Sequence, residues 1–367
     1  MREQAAEPIE IRSEALPQLR SLAAEWTQLD QDGRHSFFRS WGWIGPWLRA
    51  SPNLDGKLLV RALRGHATIG LAILTIKHKS LHGLVKVRQA WLNASGDTQY
   101  DRIAVEHNGF ASSLQDTGAL EHALLNRFCE GALPIDELVL PGLGPAPWVA
   151  TGRLMSDERE ATGFRRRLTD SEAHSGLAPL LSRNSRQQLN RAIRVCESFG
   201  PLRLECANGT SEMLDFFSQL KDLHRSSWQR RNILDAFDNP HFEPFCRELM
   251  EADGAAKNVD LLRLTAGPKL LGVLLNFRRC GVVYSYQSGL DDTDPDLRPG
   301  YVAHAMAIQH YAGNGQQVYD FLAGQNRLKQ SMSNESYPLF WQSLQRPNYA
   351  FRFNRLARRI SKFAVLR

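Results

Sequence analysis

Residues 281–330 read GVVYSYQSGLDDTDPDLRPGYVAHAMAIQHYAGNGQQVYDFLAGQNRLKQ, and the fold class can be inferred from this stretch. It opens with an apolar and aromatic run, 282–286, whose β-branched and ring side chains favour a strand. Apolar residues then recur at helical spacing after Pro299-Gly300, until glycines end the run. A second strand is predicted over 318–322. The stretch therefore predicts a strand, a loop with a glycine, a helix and a second strand.

A unit of this kind can hold an anion at the start of its helix. The first backbone N–H groups of a helix have no partner within it, and the helix dipole is positive at that end. Gly300 lets the backbone approach a ligand without a Cβ atom in the way. Arg298 supplies a counter-charge. The alternative is an ordinary loop in which Pro299 opens the helix, a position where proline is favoured.

The segment resembles the GNAT acyltransferase superfamily, in particular the branch named for the cellulose-biosynthesis protein CelD. That branch has a strand with tyrosines, Gly-x-Asp, a Pro-Gly pair opening a helix, a strand ending in Asp-Phe, and a glycine followed by a lysine. The matching pieces here are Tyr284 and Tyr286, Gly289-Leu290-Asp291, Pro299-Gly300, Asp320-Phe321, Gly324 and Lys329. The resemblance extends upstream through 181–192 and 220–232. The fuller superfamily signature, Arg/Gln-x-x-Gly-x-Gly/Ala, is absent.

The resemblance implies an α/β fold made of two tandem GNAT-like domains, each a mixed twisted sheet flanked by helices. The outline of the chain is also similar to the Fem-type peptidyl transferases, in which a tandem arrangement is known. We predict a degenerate N-terminal GNAT-like domain over 1–160 and a C-terminal GNAT-like acyltransferase domain over 161–345. A basic amphipathic tail follows over 346–367. The charged stretch near 150–175 is predicted to join the two domains.

Local patterns place further elements around this segment. Helical spacing predicts a first helix over 14–30 and a long helix from Thr210 through Trp228. Two apolar runs separated by Gly65-His66 predict a hairpin of strands over 57–64 and 67–81. Another strand is predicted over 101–108.

The resemblance also implies an acyl-CoA-dependent N-acyltransferase that works by direct transfer in a ternary complex. Acetyl-CoA or another acyl-CoA would be the cosubstrate. The acceptor would be an amine, such as an amino sugar or a precursor of a polysaccharide or of the cell envelope. The residues expected to bind the CoA pyrophosphate are Arg298, Pro299, Gly300 and Tyr301.

Three residues are candidates for the chemistry. Tyr286 and Asp320 lie at the ends of predicted neighbouring strands, where open α/β sheets bind ligands. Tyr286 can donate a proton or hydrogen bond to the thiolate, and Asp320 can orient or deprotonate the amine. Lys329 matches the lysine that lies near the acceptor in Fem-type relatives. The structural alternatives are a half-buried strand tyrosine, an aspartate that caps its loop, and a surface lysine.

Three further residues are candidates for acceptor binding. His224 and Trp228 are one helical turn apart on one face, which predicts a wall for a sugar or a peptide. Asp101 follows Tyr100 at a position that resembles a family position near the cleft between the domains. The arginines of residues 183–194 predict a basic helix face that either meets an anionic acceptor or stays in water.

No metal cofactor is expected. Within the acidic run Asp291, Asp292, Asp294 and Asp296, the residues from Asp292 onward alternate as in a calcium loop, with Asp292 as the first position. The calcium loop also needs glycine at its sixth position and glutamate at its twelfth, and these positions hold Leu297 and Ala303. A solvated turn is therefore the prediction.

The net charge of +6 comes from the C-terminal end of the chain. Seven of the 45 basic residues lie in 336–367, which has no acidic residue, so the rest of the chain has 38 basic and 39 acidic residues. No specific nucleic-acid partner is therefore expected. In the tail, four apolar residues fall on one helical face: Phe353, Leu356, Ile360 and Phe363. Basic residues cover much of the remainder, which predicts peripheral contact with an anionic membrane; a helix packed on its own domain is the alternative.

The N-terminal residues contain no apolar signal core, and no run approaches the roughly 20 apolar residues that span a bilayer. The five cysteines are widely scattered without C-x-x-C spacing, which predicts buried, reduced thiols. We therefore expect a cytoplasmic protein, with peripheral contact at the inner membrane face through the tail. Two alternative functions stay open: a Fem-type transferase that uses aminoacyl-tRNA, and a non-catalytic accessory protein of exopolysaccharide biosynthesis.

Overall fold

The computed structural model describes residues 7–30, 35–81, 85–97, 99–102, 105–113, 115–149, 154–231, 235–252, 254, 257–347 and 351. Within these ranges the strands are β1 (Ile9–Ala15), β2 (Lys57–Arg64), β3 (Ala67–Leu81), β4 (Val85–Leu92), β5 (Ala111–Ser112), β6 (Glu137–Leu143), β7 (Met155–Arg167), β8 (Leu202–Cys206), β9 (Val259–Ala266), β10 (Lys269–Arg279), β11 (Val282–Leu290), β12 (Val318–Ala323) and β13 (Glu335–Gln345). The α-helices are α1 (Leu19–Leu29), α2 (Trp41–Ala50), α3 (Thr117–Cys129), α4 (Asp170–Ser175), α5 (Arg183–Glu197), α6 (Thr210–Arg230), α7 (Phe242–Glu251), α8 (Pro299–Gly313) and α9 (Arg327–Met332). In the described part of the chain, no helix is long and apolar enough to cross a membrane.

The chain divides into two compact units. Unit 1 comprises the described residues of 1–44, 52–160 and 339–367, and unit 2 those of 45–51 and 161–338. The division falls within β7 and within β13, so each of these strands contributes residues to both units.

Unit 1 is built on a mixed sheet with the strand order β1-β2-β3-β4-β6-β13, and β5 pairs with β3. All its pairings are antiparallel except that of β4 with β6, and α3 lies between these two strands in the chain. A parallel pair needs such a crossover, because the chain has to return to the same end of the sheet. Leu120, Leu124 and Phe128 of α3 are fully buried against the apolar face of the sheet.

Unit 2 is built on a mixed sheet with the strand order β7-β12-β11-β10-β9-β8. Only β11 and β12 are parallel, and α8 is the crossover between them. Residues of α5 and α8 share one apolar core with the sheet, including Leu189, Val302 and Ile308. The long helix α6 also contacts β9, β10 and β11. The α/β fold with a mixed sheet and flanking helices is thus confirmed.

Helix α8 forms where the sequence predicts it, for reasons that are local. Pro299 occupies the first helical position, where its fixed φ suits the helix and its missing N–H costs nothing. Several alanines follow, the residue with the highest helix propensity. Most of the helix is buried, which is why its apolar residues surround its axis.

Some predicted elements are confirmed and others are wrong. The hairpin strands have the predicted limits, and α6 begins at Thr210 as predicted. The first helix covers only 19–29, because residues 9–15 form β1 and pair with β2. The predicted strand over 101–108 is also wrong: a short 3₁₀ helix over 100–102 opens this part, and the described residues 105–108 are not a strand.

The charged stretch near 150–175 does not act as a plain linker, since its residues 155–167 form β7. Strand β7 pairs with β12, and Arg165 and Arg167 both form ion pairs with Glu335 of β13. Because its many charged residues find their partners on another strand, the sequence of β7 resembles a polar connection. Strand β13 had no predicted counterpart, although it follows the predicted site directly.

The domain limits 1–160 and 161–345 remain a proposal. Each compact unit combines segments that are not consecutive in the chain. Residues 339–345 belong to unit 1, because β13 pairs there with β6 from Phe340 to Gln345. Residues 45–51 belong to unit 2, where Arg49 pairs with Glu248. Most of the predicted tail, 352–367, lies outside the described residues.

The prediction that the cysteines are buried is correct for two of the five. Cys196 and Cys246 are buried, Cys129 is half-buried, and Cys206 and Cys280 are exposed. Cys280 is exposed because it stands in the turn between β10 and β11, where its φ is 51°. No disulfide joins any of the five, all of which lie in the described ranges.

Candidate active site

A cleft opens in unit 2 where the parallel ladder of β11 and β12 stops. The two strands pair at three positions only, the last being Tyr284 with Asp320. Beyond this pair β11 continues to Leu290 and β12 to Ala323 without pairing with each other. The cleft has a volume of about 870 Å³ and is lined by residues of both strands, of α6, of the start of α8 and of the turn into α9. The charged residues that line it are Arg231, Asp292, Arg298, Arg327 and Lys329.

A bulge in β11 lies at this opening. The register with β10 shifts so that Ser285 is opposite Asn276 while Gln287 is opposite Leu275. Tyr286 is therefore the extra residue of the bulge. A bulge bends its strand and redirects a side chain, and bulges are common beside active sites. The ring of Tyr286 packs near Phe242 and Phe277, with centroid distances of 6.4 and 5.0 Å, and lines the cleft.

The N-terminus of α8 forms one end of the cleft. Arg298 adopts a left-handed conformation with φ 42° and ψ 51°, and no side chain caps the helix. Its guanidinium Nη1 donates to Oε1 of Gln188 at 3.2 Å, at the exposed rim. A Cβ atom on Gly300 would lie 3.1 Å from methyl groups of both Leu290 and Leu328. Close packing of these leucines is a structural reason for the glycine, and its role in the approach of an anion stays a prediction.

Three hydrogen-bonded side chains connect β11, β12 and α8. The hydroxyl of Tyr319 lies 2.9 Å from Nδ1 of His304 and also bonds the side chain of Ser285. His304 and Ser285 line the cleft, whereas Tyr319 is fully buried. Burial lowers the pKa of His304 to about 3, and the nearby Lys329 acts in the same direction. Burial also raises the pKa of the Tyr319 hydroxyl.

Lys329 holds the turn between β12 and α9 while it lines the cleft. Its Nζ donates to the carbonyl oxygen of Ala323 at 2.6 Å and to that of Leu322 at 3.3 Å. Its backbone N–H donates to the side chain of Asn326, which caps α9. The ammonium is therefore fixed in position at the end of β12.

The opposite wall of the cleft comes from α6. The rings of His224 and Trp228 stack with centroids 5.1 Å apart, as the helical spacing predicts. Nδ1 of His224 bonds the carbonyl oxygen of Ser288 on β11 at 2.9 Å, and burial lowers the pKa of its imidazole. A neutral His224 can then donate to that carbonyl. This bond fixes the aromatic wall against the edge of β11.

Asp292 connects the acidic loop, residues 291–296, to α6. Its carboxylate accepts from Ser227 and Arg231 at 2.6 Å each, and also from Arg230. Although burial opposes ionisation, these donors hold the pKa of Asp292 below its usual range. The acidic loop is thus a turn held by ion pairs. Among the described residues no group of three or more carboxylate, imidazole or thiol side chains could hold a metal ion.

Eight of the ten predicted site residues line this one cleft: Tyr286, Lys329, Arg298, Pro299, Gly300, Tyr301, His224 and Trp228. Asp320 does not line it. Its buried carboxylate accepts from the Tyr337 hydroxyl at 2.7 and 2.8 Å and from the backbone N–H of Leu322 at 2.8 Å. The structure therefore shows Asp320 in the loop-capping arrangement.

Asp101 lies in unit 1, whereas all residues that line this cleft belong to unit 2. Its carboxylate accepts from the N–H and hydroxyl of Ser95 and from the N–H of Gly96, at 2.7–2.8 Å. These bonds close a local loop. They explain why an aspartate stands there.

Sequence reasoning missed Ser285, His304 and Gln188. His304 follows Gly300 by four residues, so both lie on one face of α8. That spacing was a signal that could have identified it. Gln188 gave no such signal, because its proximity to Arg298 depends on how α5 packs against α8.

Comparison with known proteins identifies the class of this unit. Residues 183–330 match the family model described as an acetyltransferase (GNAT) domain, and the match spans the whole cleft. The chain therefore contains a GNAT acetyltransferase domain, and the prediction that it is an acyltransferase is confirmed. GNAT domains generally use acyl-CoA. No protein of curated function matches the sequence.

Solved structures with a similar fold are distant in sequence. The crystal structure of FemX is 12% identical with a TM-score of 0.55, and the alignment covers 90% of this chain and 96% of FemX. A conserved protein of unknown function from Bacteroides thetaiotaomicron VPI-5482 is 10% identical with a TM-score of 0.52, over 92% and 100% of the two chains. A tandem GNAT protein from the clavulanic acid biosynthesis pathway is 11% identical with a TM-score of 0.46, over 92% and 100%. At these identities the first two show a shared fold only.

Proposed function

We propose that this protein transfers an acyl group from an acyl-CoA to an amine acceptor. The observation that carries the proposal is the early end of the β11–β12 ladder, which opens a cleft directly at the N-terminus of α8. An extended donor with a phosphate group at one end fits this arrangement. The match of residues 183–330 to a GNAT domain supports the same donor class.

The donor end of the cleft is formed by β11 and α8. The pantetheine arm of CoA carries amide groups, and an extended chain can pair with an exposed strand edge as an added strand does. Strand β11 has such an edge beyond Tyr284, where β12 no longer pairs with it. The CoA pyrophosphate then meets the N-terminus of α8, with Arg298 as its counter-charge and Tyr301 beside it.

The reaction is a direct attack of the amine on the thioester carbonyl. The new C–N bond forms as the C–S bond breaks, and the proton lost by nitrogen ends on the CoA sulfur. Such a reaction is accelerated by positioning the two reactants and by stabilising negative charge on the carbonyl oxygen and sulfur. Tyr286 at the bulge and Lys329 at the end of β12 are the candidates for stabilising this charge. Asp320 is a positioning residue, because its carboxylate holds the end of β12 through the backbone N–H of Leu322.

The acceptor end of the cleft is formed by α6. The stacked rings of His224 and Trp228 offer a flat face on which the apolar side of a sugar ring can pack. Gln287 and Ser288 of β11 provide polar groups close by. An amino sugar, or a polysaccharide or envelope precursor that contains one, is the acceptor that we propose.

A thermal-shift titration with CoA and acetyl-CoA tests the proposal. A ligand that binds only the folded protein at 100 times its Kd stabilises it by about 2.7 kcal/mol. We expect such a shift with both compounds, and Arg298→Glu is expected to weaken binding at least about tenfold, because it places a negative charge at the phosphate site. Arg194→Glu is the matched control, since Arg194 is exposed on α5 and does not line the cleft. No shift of the unaltered protein at millimolar CoA contradicts the proposal.

A second candidate donor is aminoacyl-tRNA. Exposed arginines at positions 183, 186 and 194 lie on α5, and the same helix reaches the cleft through Gln188. A polyanion would be drawn to such a face, with strong dependence on salt. Binding of aminoacyl-tRNA that is lost in Arg183→Glu/Arg186→Glu, together with no response to CoA, would favour this donor.

A further inference from the structure

The side chains of Ser285, Tyr319 and His304 form a buried polar connection that begins and ends at the cleft. Ser285 lies on β11 just before the bulge, Tyr319 on β12 within the parallel ladder, and His304 on α8 one turn from its start. Ser285 and His304 line the cleft, and Tyr319 links them from inside the protein with no exposed surface. Three elements that all meet the proposed donor site thus contribute one residue each.

The surroundings of this connection keep its members uncharged. His304 lies against the rings of Tyr319 and Phe321, with centroid distances of 5.9 and 5.3 Å. Because burial disfavours the imidazolium, His304 stays neutral at neutral pH. A neutral imidazole donates a hydrogen bond through one nitrogen and accepts through the other.

The direction of the hydrogen bonds decides which nitrogen of His304 donates. The Tyr319 hydroxyl bonds both Ser285 and His304, and a serine that donates to the phenol oxygen leaves the phenol proton for the imidazole. The proton of Tyr319 is then directed to Nδ1 of His304, 2.9 Å away. Nδ1 is the acceptor, and Nε2 therefore carries the hydrogen and is the nitrogen left to act on a ligand in the cleft.

We propose that His304 donates the Nε2–H hydrogen bond, and finally the proton, to the sulfur of the departing CoA, and that Ser285 and Tyr319 supply this proton. The proposal rests on the proposed acyl-CoA-dependent function. The amine nitrogen loses its proton to Ser285 Oγ, the Ser285 proton passes to Tyr319, the Tyr319 proton passes to Nδ1, and the Nε2 proton forms the S–H bond. One proton enters and one leaves, so the chain needs no other reactant and His304 never becomes an imidazolium.

Other charges in the cleft also act on the sulfur and have to be separated from this effect. Lys329 is close enough to lower the pKa of His304, and its ammonium would itself stabilise a thiolate. Arg231, Asp292, Arg298 and Arg327 line the same cleft. Removal of the Tyr319 hydroxyl takes away the middle member of the relay and leaves these five charged side chains in place.

The pKa of the thiol of bound CoA tests the proposal without any knowledge of the acceptor. The thiolate absorbs in the ultraviolet, so a pH titration of the protein with CoA, read against the same protein with desulfo-CoA, reports its ionisation. We expect the thiol pKa of bound CoA to lie at least about one unit below that of free CoA, a tenfold change in its ionisation constant. Tyr319→Phe and His304→Gln should remove most of this shift while CoA still binds, and Ser285→Thr should retain it. Lys329→Met measures the contribution of the ammonium separately.

Tyr311→Phe is the matched control. Tyr311 is a buried tyrosine of α8, the helix that also carries His304. Its hydroxyl donates to Asp260, and Tyr311 does not line the cleft. The relay is overturned if the thiol pKa of bound CoA is lowered as much in Tyr319→Phe as in the unaltered protein. It is also overturned if the unaltered protein does not lower the thiol pKa at all. If either variant fails to fold, Ser285→Ala carries the test, because it removes the start of the chain at the cleft surface. Absence of CoA binding by the unaltered protein instead overturns the proposed function, and the relay with it.

Discussion

Gly289 shows how one piece of the sequence pattern follows from packing. It belongs to the Gly-x-Asp piece, and at this point β11 approaches the backbone of α6 so closely that a Cβ atom would overlap the carbonyl oxygen of Leu220. The next residues carry the loop that Asp292 ties to α6. The glycine therefore sets the distance between the strand and the helix that form two walls of the cleft.

We expect Gly289→Ala to lower the free energy of unfolding by about 1–3 kcal/mol, because a backbone atom cannot move aside as a side chain can. Urea unfolding of the purified protein measures this change. Gly313→Ala is the control: nothing lies within 4 Å of a Cβ atom there, and alanine is the better helix former. Equal stability of the two variants would contradict the close approach.

His304 gives the protein a dependence of stability on pH that can be measured. Burial holds its pKa at about 3 in the folded state, against an ordinary value of 6.5 in the unfolded chain. Because the folded pKa is lowered, this stability is present above pH 6.5 and is lost as the pH falls from 6.5 towards 3. The imidazole bonds the Tyr319 hydroxyl, and the charge of the Lys329 ammonium also lowers its pKa.

Between pH 7.5 and 5.5 the loss due to His304 is expected to be about 1.4 kcal/mol, one proton taken up by the unfolded chain alone. His224 and His310 also have lowered pKa values, so the comparison has to be made against a variant. His304→Gln should show a smaller decrease over this range by about that amount in urea unfolding. An identical decrease in both proteins would mean that His304 takes up a proton in the folded state.

At the scale of elements, the first residues of the predicted tail pack on the folded body. Phe351, which follows the start of the tail at residue 346 by five positions, is buried against Val87 and Met155 in unit 1. The proposed membrane-binding helix at 353–363 lies wholly outside the described residues. A test of membrane contact should therefore keep Phe351 and remove only residues 352–367.

We expect a chain that ends at Phe351 to unfold at the same temperature as the full chain and to bind CoA equally, but to lose binding to vesicles of anionic lipid at low salt. Phe351→Ala should instead lower the free energy of unfolding by about 3–5 kcal/mol, because it empties a buried aromatic site. Vesicle sedimentation and thermal unfolding measure the two effects. If the shortened chain unfolds at a markedly lower temperature, the tail belongs to the folded body and the membrane proposal should be dropped.

At the scale of the whole molecule, β13 is the element whose removal should be most damaging. Its first residues belong to unit 2, where the Tyr337 hydroxyl donates to Asp320. Its later residues belong to unit 1, where Leu339 and Leu344 are buried. A chain that ends at Asn334 contains all of the residues that line the cleft, yet it lacks this strand.

We expect the chain ending at Asn334 to show no cooperative thermal unfolding by circular dichroism, in contrast to the chain ending at Phe351. The physical reason is that β6 and β7 would both lose a neighbour, together with the buried side chains that β13 supplies. Cooperative unfolding with retained CoA binding by the shorter chain would show that the site needs only the contiguous segment.

The sequence predicted the elements whose causes are local. Helix α8, the flanking strands and the hairpin of unit 1 follow from proline, glycine and the spacing of apolar residues within each segment. Of the eight predicted site residues that line the cleft, six lie within residues 281–330, where strand, loop and helix are consecutive. Strand β7 was missed because its charges find partners on β13, 170 positions away for Arg165 and Glu335.

The order of elements along residues 281–330 was enough to predict the class of fold. Which polar residues face the cleft depended instead on the tertiary structure. Asp320 turns to Tyr337, and His304 is joined to Ser285 through Tyr319, because β12 lies between β7 and β11 in the sheet. Contacts across a sheet depend on register and strand order, and the spacing of residues along one segment predicts neither of them.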